Sequence, residues 1–149
     1  MRVSLTINGK RLEIDATPND RLADTLRANG CPSVKIGCGD GACGTCTVLL
    51  SGKPVVSCEI LTVRADGAEI VTVEGLGSEA EKIVDCLIRA GAEGCGYCAP
   101  GFVMLAYALK QEYPTADYEQ ARMYLNGNLC RCTGYTVRVD VALEYLSMP

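Results

Sequence analysis

The chain contains no histidine. That absence excludes a Rieske centre, whose iron needs imidazole ligands, and it excludes Ser-His and Cys-His nucleophiles. No stretch approaches the roughly 20 consecutive apolar residues of a membrane-spanning helix. With a net charge of -4 and no basic cluster, nucleic acid is not an expected partner. The opening residues MRVSLTINGKRLEI lack the apolar stretch and cleavage site of a secretory leader, so the expected location is the cytoplasm, where thiols stay reduced. At 149 residues the chain is one or two small domains, short for a redox enzyme with its own substrate pocket. A component of a larger assembly is the expectation.

What the chain has in excess is cysteine, with 10 residues. All but Cys31 and Cys86 fall into two groups of different spacing. The first is Cys38, Cys43, Cys46 and Cys58, in the run GCGDGACGTC and after it. Its spacing is that of plant-type ferredoxins, in which thiolates hold a 2Fe-2S cluster. A short loop around an inorganic core needs positive φ and inward-pointing amides, and Gly37, Gly39, Gly41 and Gly44 supply that freedom. The plainer readings are a disulfide-bonded turn or a zinc knuckle. Zinc knuckles usually pair two short Cys-x-x-Cys hooks, which this group does not.

The second group is Cys95 and Cys98 in GCGYCAPG, with Cys130 and Cys132 in GNLCRCTGY. Cys95-Gly-Tyr-Cys98 alone resembles a thioredoxin-like redox pair at a helix N-terminus. No strand pattern leads into it, however, and a second tight cysteine pair follows. Together they form a second closed thiolate site. Spacing alone also admits zinc here, but a plant-type group in the same chain favours iron.

The N-terminal half reads as strands and turns. Val3, Leu5 and Ile7 alternate with polar residues, Asn8-Gly9 signals a hairpin, and Leu12 and Ile14 continue the alternation. A short helix follows, with Asp20 as N-cap, Leu22 and Leu26 inside and Gly30 past its end. Strands are expected at Thr47 to Leu50 and Glu69 to Val73, with a turn at Ser51-Gly52 between them. This is the element order of a β-grasp ferredoxin domain. A linker is expected over Glu74 to Ser78. Beyond it the apolar period is helical: Ile83, Leu87 and Ile88; Phe102, Leu105, Ala106 and Leu109; Ala121, Met123 and Leu125; Val139, Leu143 and Leu146. The fold class is therefore α+β, with a small helical bundle after a ferredoxin-like sheet.

The segments GCGDGACGTCTVLLSGKPVVSC, GCGYCAPG and GNLCRCTGY, in this order, resemble the small 2Fe-2S subunit of the molybdenum hydroxylases, the family of xanthine dehydrogenase, aldehyde oxidase and CO dehydrogenase. The resemblance spans nearly the whole chain. It implies a ferredoxin-like 2Fe-2S domain over residues 1–76 and a four-helix 2Fe-2S domain over residues 77–149. It further implies that Cys38, Cys43, Cys46 and Cys58 hold one cluster, and that Cys95, Cys98, Cys130 and Cys132 hold the other. Single electrons would pass from a molybdenum-pterin cofactor on a large subunit, through the helical-domain cluster and then the plant-type cluster, to FAD on a medium subunit or to another acceptor. In the family, the cysteine matching Cys132 approaches the pterin amino group. A hetero-oligomer, built as a dimer of heterotrimers, is implied, with no catalytic residue on this chain. The alternative is a freestanding two-cluster ferredoxin-type carrier. One departure bears on the partner side: Gly94 stands where most members carry a pterin-contacting glutamine, and the segment before it lacks the family's His-Pro and second glutamine.

Cys31 and Cys86 read as small buried hydrophobes. Arg131, between two candidate ligands, reads equally as a charge that raises a cluster's potential and as the partner of a carboxylate. Tyr97, Tyr107, Tyr113, Tyr118 and Tyr124 read as core and interface aromatics rather than a relay.

Overall fold

The computed structural model describes residues 1–149. β1 (Arg2–Ile7) and β2 (Lys10–Asp15) form an antiparallel hairpin in which Leu5 faces Leu12. Asn8 and Gly9 both lie at positive φ, 49° and 80°, the turn geometry that matches the twist of paired strands. β3 (Thr47–Leu50) and β4 (Lys53–Val56) form a second antiparallel hairpin around Ser51 and Gly52, again both at positive φ. β5 (Glu69–Val71) runs parallel to β1 and antiparallel to β3, closing a sheet of order β2-β1-β5-β3-β4.

α1 (Leu22–Ala28) lies against this sheet. Leu22 and Leu26 are fully buried with Val3, Leu5, Ile70 and Val48. Removing each such leucine from water contributes about 1.5–3 kcal/mol. The cap differs from expectation. Arg21 is the N-cap and has no side-chain cap bond, while Asp20 turns back to accept from the Thr17 amide at 2.8 Å and from its hydroxyl. Its carboxylate is satisfied before the helix begins.

Two further differences concern the end of the sheet. The strand expected to reach Val73 stops at Val71, because Asn8 replaces a ladder partner there. Asn8 Oδ1 accepts from the Thr72 amide, and Asn8 Nδ2 donates to Thr72 Oγ1, each at 2.9 Å. The expected linker is also structured: α2 (Val73–Leu76) begins at once and α3 (Ser78–Arg89) follows Gly77. A Cβ on Gly75 would stand 2.3 Å from Asn8 Oδ1, so this glycine makes room for the Asn8 contact.

α3, α4 (Ala99–Glu112), α5 (Tyr118–Leu125) and α6 (Thr136–Ser147) form the helical half. Pro100 opens α4, where a missing N–H costs no hydrogen bond, and Asp117 caps α5 through the Gln120 amide. α4 is apolar nearly all round because it packs on two sides. Phe102, Leu105, Ala106 and Leu109 join the helical core, while Met104 and Ala108 press on Leu49 of β3. Ile88 and Met123, expected inside, are exposed at 56% and 62%. No helix is long and apolar enough to cross a membrane.

Candidate metal centres

The first cysteine group is assembled by a loop and a hairpin. Residues 38–46 form an irregular loop after α1, with Gly39, Gly41 and Gly44 at φ of 76°, 78° and 70°. Gly37, expected among them, is not at positive φ. It supplies space instead, since a Cβ there would stand 2.8 Å from Cys43 Sγ. Cys46 and Cys58 are distant in sequence but flank the β3–β4 hairpin, whose end pair is Thr47 and Val56. The Ser57 hydroxyl and amide both donate to the Cys46 carbonyl, at 2.7 and 3.3 Å, which fixes Cys58 beside Cys46. On the other side, the Cys43 amide donates to Cys38 Sγ at 3.3 Å.

Within this group Cys38 acts on Cys43, and both Cys46 and Cys38 act on Cys58. Burial works against ionisation of Cys43, yet hydrogen bonds from the Thr45 hydroxyl and amide and from Cys38 hold its pKa down to about 7. Burial, followed by the Cys46 thiol, pushes Cys58 up to about 11. Cys46 and Cys58 are buried and Cys38 is exposed.

The second group is built from two helix ends. Cys95 and Cys98 lie in the turn before α4, with Cys98 at its N-cap; Cys130 and Cys132 lie between α5 and α6. Here Cys95 and Cys132 are both exposed, and Cys98 and Cys130 are both buried. Burial disfavours the Cys130 thiolate, but the Thr133 hydroxyl, 3.2 Å from its Sγ, and nearby amides bring its pKa to about 7. Gly94 has a local reason: at φ 56° a Cβ would stand 2.6 Å from Cys132 Cβ, so no side chain fits this backbone.

No set of three or more Cys, Asp or Glu closes on a single metal ion. Four thiols in each group, set in or beside glycine-bearing turns, are the donors that would hold a 2Fe-2S cluster, which would supply one-electron chemistry there. The donor set fits a 2Fe-2S cluster at both places.

The two groups face each other. The Leu129 amide, next to Cys130, donates to the Cys43 carbonyl at 2.9 Å. Buried Asn128 donates Nδ2 to the carbonyls of Gly44 and Cys98, at 3.4 and 3.3 Å. The Tyr97 hydroxyl donates to the Ile36 carbonyl at 2.9 Å. Sequence reasoning did not single out Asn128 or Arg138, because only the meeting of the two loops gives them a role. Arg131, which it did single out, is exposed and makes no ion pair. Cys31 and Cys86 lie in the two cores, and burial raises both thiols. Tyr113 and Tyr124 stack edge to face at 6.0 Å.

Residues 5–74 match the family described as 2Fe-2S iron-sulfur cluster binding domain, and residues 72–142 match the 2Fe-2S binding domain family. The nicotinate dehydrogenase small FeS subunit of Eubacterium barkeri is 41% identical over 146 residues, which is 96% of this chain and 92% of that subunit. The xanthine dehydrogenase iron-sulfur-binding subunit of Escherichia coli O157:H7 is 39% identical, over 95% of this chain and 92% of its own length. Among solved structures, quinoline 2-oxidoreductase from Pseudomonas putida 86 superposes with a TM-score of 0.91 at 41% identity, over 98% of this chain and 93% of that one. With similarity along nearly its whole length to such subunits, and two 2Fe-2S domain matches that meet at residues 72–74, the chain belongs to the small iron-sulfur subunits of the molybdenum hydroxylase family.

Proposed function

We propose that the chain is the electron-transfer subunit of a heteromeric molybdenum-dependent oxidoreductase, with Cys38, Cys43, Cys46 and Cys58 holding one 2Fe-2S cluster and Cys95, Cys98, Cys130 and Cys132 the other. Its functional units are residues 1–76 and 77–149. The observation that carries this reading is the hydrogen bond from the Leu129 amide to the Cys43 carbonyl, which joins the two cysteine groups directly. Each cluster, when bound, takes up and releases one electron at a time.

The chain's own residues do the rest. Thr133 donates to a sulfur of the second group, and buried Cys46, Cys58, Cys98 and Cys130 keep one side of each group away from water. Asn128 fixes the spacing between the groups by holding a carbonyl from each loop. Cys95 and Cys132 open to the surface, where Tyr97, Leu129 and Tyr135 are also exposed, at 48%, 49% and 47%. That partly apolar face suits the molybdenum-pterin large subunit, from which electrons enter. Exposed Cys38 marks the exit side, toward an FAD-binding medium subunit. The assembly is a hetero-oligomer of the cytoplasm, a dimer of heterotrimers. The substrate is set by the large subunit's pocket.

The test is to purify the protein gently from its host and measure the molybdenum-to-iron ratio of the species it migrates with. About one molybdenum per four irons, in a complex much heavier than 15.8 kDa, is expected. Iron without molybdenum at monomer mass would instead make the chain a freestanding carrier.

A further inference from the structure

Arg138, in the first turn of α6, is only 3% exposed. Its Nη1 donates to Asn128 Oδ1 at 3.0 Å, and its guanidinium carbon lies 5.1 Å from the centre of the Phe102 ring. Nε and Nη2 are buried without any hydrogen-bond partner. None of the chain's ion pairs includes it. Asn128, which accepts from it, donates to the Cys98 carbonyl at 3.3 Å, and Phe102, over which it lies, follows Cys98 by one helical turn and donates its amide to the same carbonyl at 3.1 Å.

A buried cation without a counter-charge is strongly unfavourable, and an apolar side chain packed against Phe102 and Val139 would avoid that cost. The cavity beside it, about 30 Å³, carries no carboxylate; its only other charged residue is Arg122, already paired with Glu119. A single water in that space would hydrate Nε or Nη2 but would leave the charge unbalanced. The cost is offset only if the neighbouring thiol site is itself anionic.

We propose that Arg138 is the buried counter-charge of the cluster held by Cys95, Cys98, Cys130 and Cys132, and that it keeps this cluster's reduction potential above the value a neutral pocket would give. This rests on the ligand reading of the second cysteine group. A 2Fe-2S core with its thiolates is anionic, and accepting one electron adds one negative charge, with no proton required. A fixed positive charge in a site shielded from water stabilises that reduced form more than the oxidised one. Arg138 therefore favours electron uptake at the side of the chain that faces the electron donor. Its neighbours Phe102 and Asn128 lie one turn beyond Cys98 and two residues before Cys130, whereas its one link to the first cysteine group is the Asn128 bond to the Gly44 carbonyl, so the larger effect falls on the second group. Exposed Arg131 is screened by solvent and has no comparable influence.

The experiment is a redox titration followed by electron paramagnetic resonance, on the complex as purified from its host, with wild type, Arg138→Met, Arg138→Gln and Arg138→Lys. Arg138→Met is expected to lower the midpoint of the helical-domain signal by at least about 59 mV, a tenfold shift in a one-electron equilibrium. The plant-type signal should stay in place, and Arg138→Lys should restore most of the loss. Should Arg138→Met not load its second cluster, Arg138→Gln, which keeps a hydrogen-bonding group for Asn128, decides the matter. A wild-type midpoint in a loaded neutral variant would overturn the proposal, as would an equal shift of both signals. The ligand reading fails separately: it falls if Cys98→Ala leaves both signals intact, whatever Arg138 does.

Discussion

The Leu129 amide reaches the Cys43 carbonyl at 2.9 Å across 86 positions of sequence, and both residues stand in or beside a candidate ligand set. One backbone hydrogen bond therefore connects the loop of the sheet half to the loop between α5 and α6. Because it uses only main-chain atoms, it survives substitution of either side chain.

Cys43→Ser separates the two clusters functionally. The variant should lose the plant-type cluster, and with it about half of the bound iron, while the helical-domain cluster remains reducible. Iron analysis and electron paramagnetic resonance check this; survival of both signals would refute the first ligand set.

Gly101 marks the tightest approach of α4 to the cysteine loop. A Cβ there would stand 2.4 Å from the Gly44 carbonyl oxygen and 2.8 Å from Asn128 Nδ2. Gly101→Ala should therefore cost roughly 1–3 kcal/mol, since backbone must move to admit one methyl group. Thermal unfolding should show the melting temperature falling by about 2–12 °C.

Asn128→Ala removes the partner of Arg138 Nη1 and of two loop carbonyls. Leaving those groups buried and unpaired should destabilise the chain by about 2–4 kcal/mol. Chemical denaturation gives the magnitude. Reduction of the plant-type cluster by the other should also slow, which rapid freeze-quench spectroscopy can follow.

Glu79 carries a pH dependence. Hydrogen bonds from Lys82 and then from the Tyr145 hydroxyl hold its carboxyl below the ordinary value of 4.5. A depressed folded-state value means the carboxylate's stabilisation is present above pH 4.5 and is lost as pH falls through the folded-state value. Tyr145→Phe removes one of those hydrogen bonds. Its melting temperature should fall at neutral pH, and the wild-type advantage should shrink as pH falls below 4.5 and through the folded-state value.

Much of the fold was legible because it is local. Asn8-Gly9 and Ser51-Gly52 specify their hairpins through positive φ, and the apolar alternation of Val3, Leu5 and Ile7 places β1 in the sheet. The misreadings had specific causes. Asp20 met a nearer donor in Thr17, and Asn8, at the end of the neighbouring strand β1, ended β5 by bonding Thr72. β4, with Pro54 and a Lys at its start, lacks a clear alternation and is defined by its pairing with β3. Met123 and Ile88 fit a helical period but fall on faces that no other element covers.

The sequence by itself determined the grouping of eight cysteines into two candidate donor sets, because the spacing of cysteines along a short glycine-rich loop or at a helix end limits what their thiols can surround. Only the tertiary structure decided how the sets relate. α4 is held between β3 and the other helices, and this brings the 38–46 loop against the turn before α6. Asn128 and Arg138 acquire their roles there, since a buried amide or guanidinium is defined by the partners that packing supplies, and those partners lie up to 84 residues away.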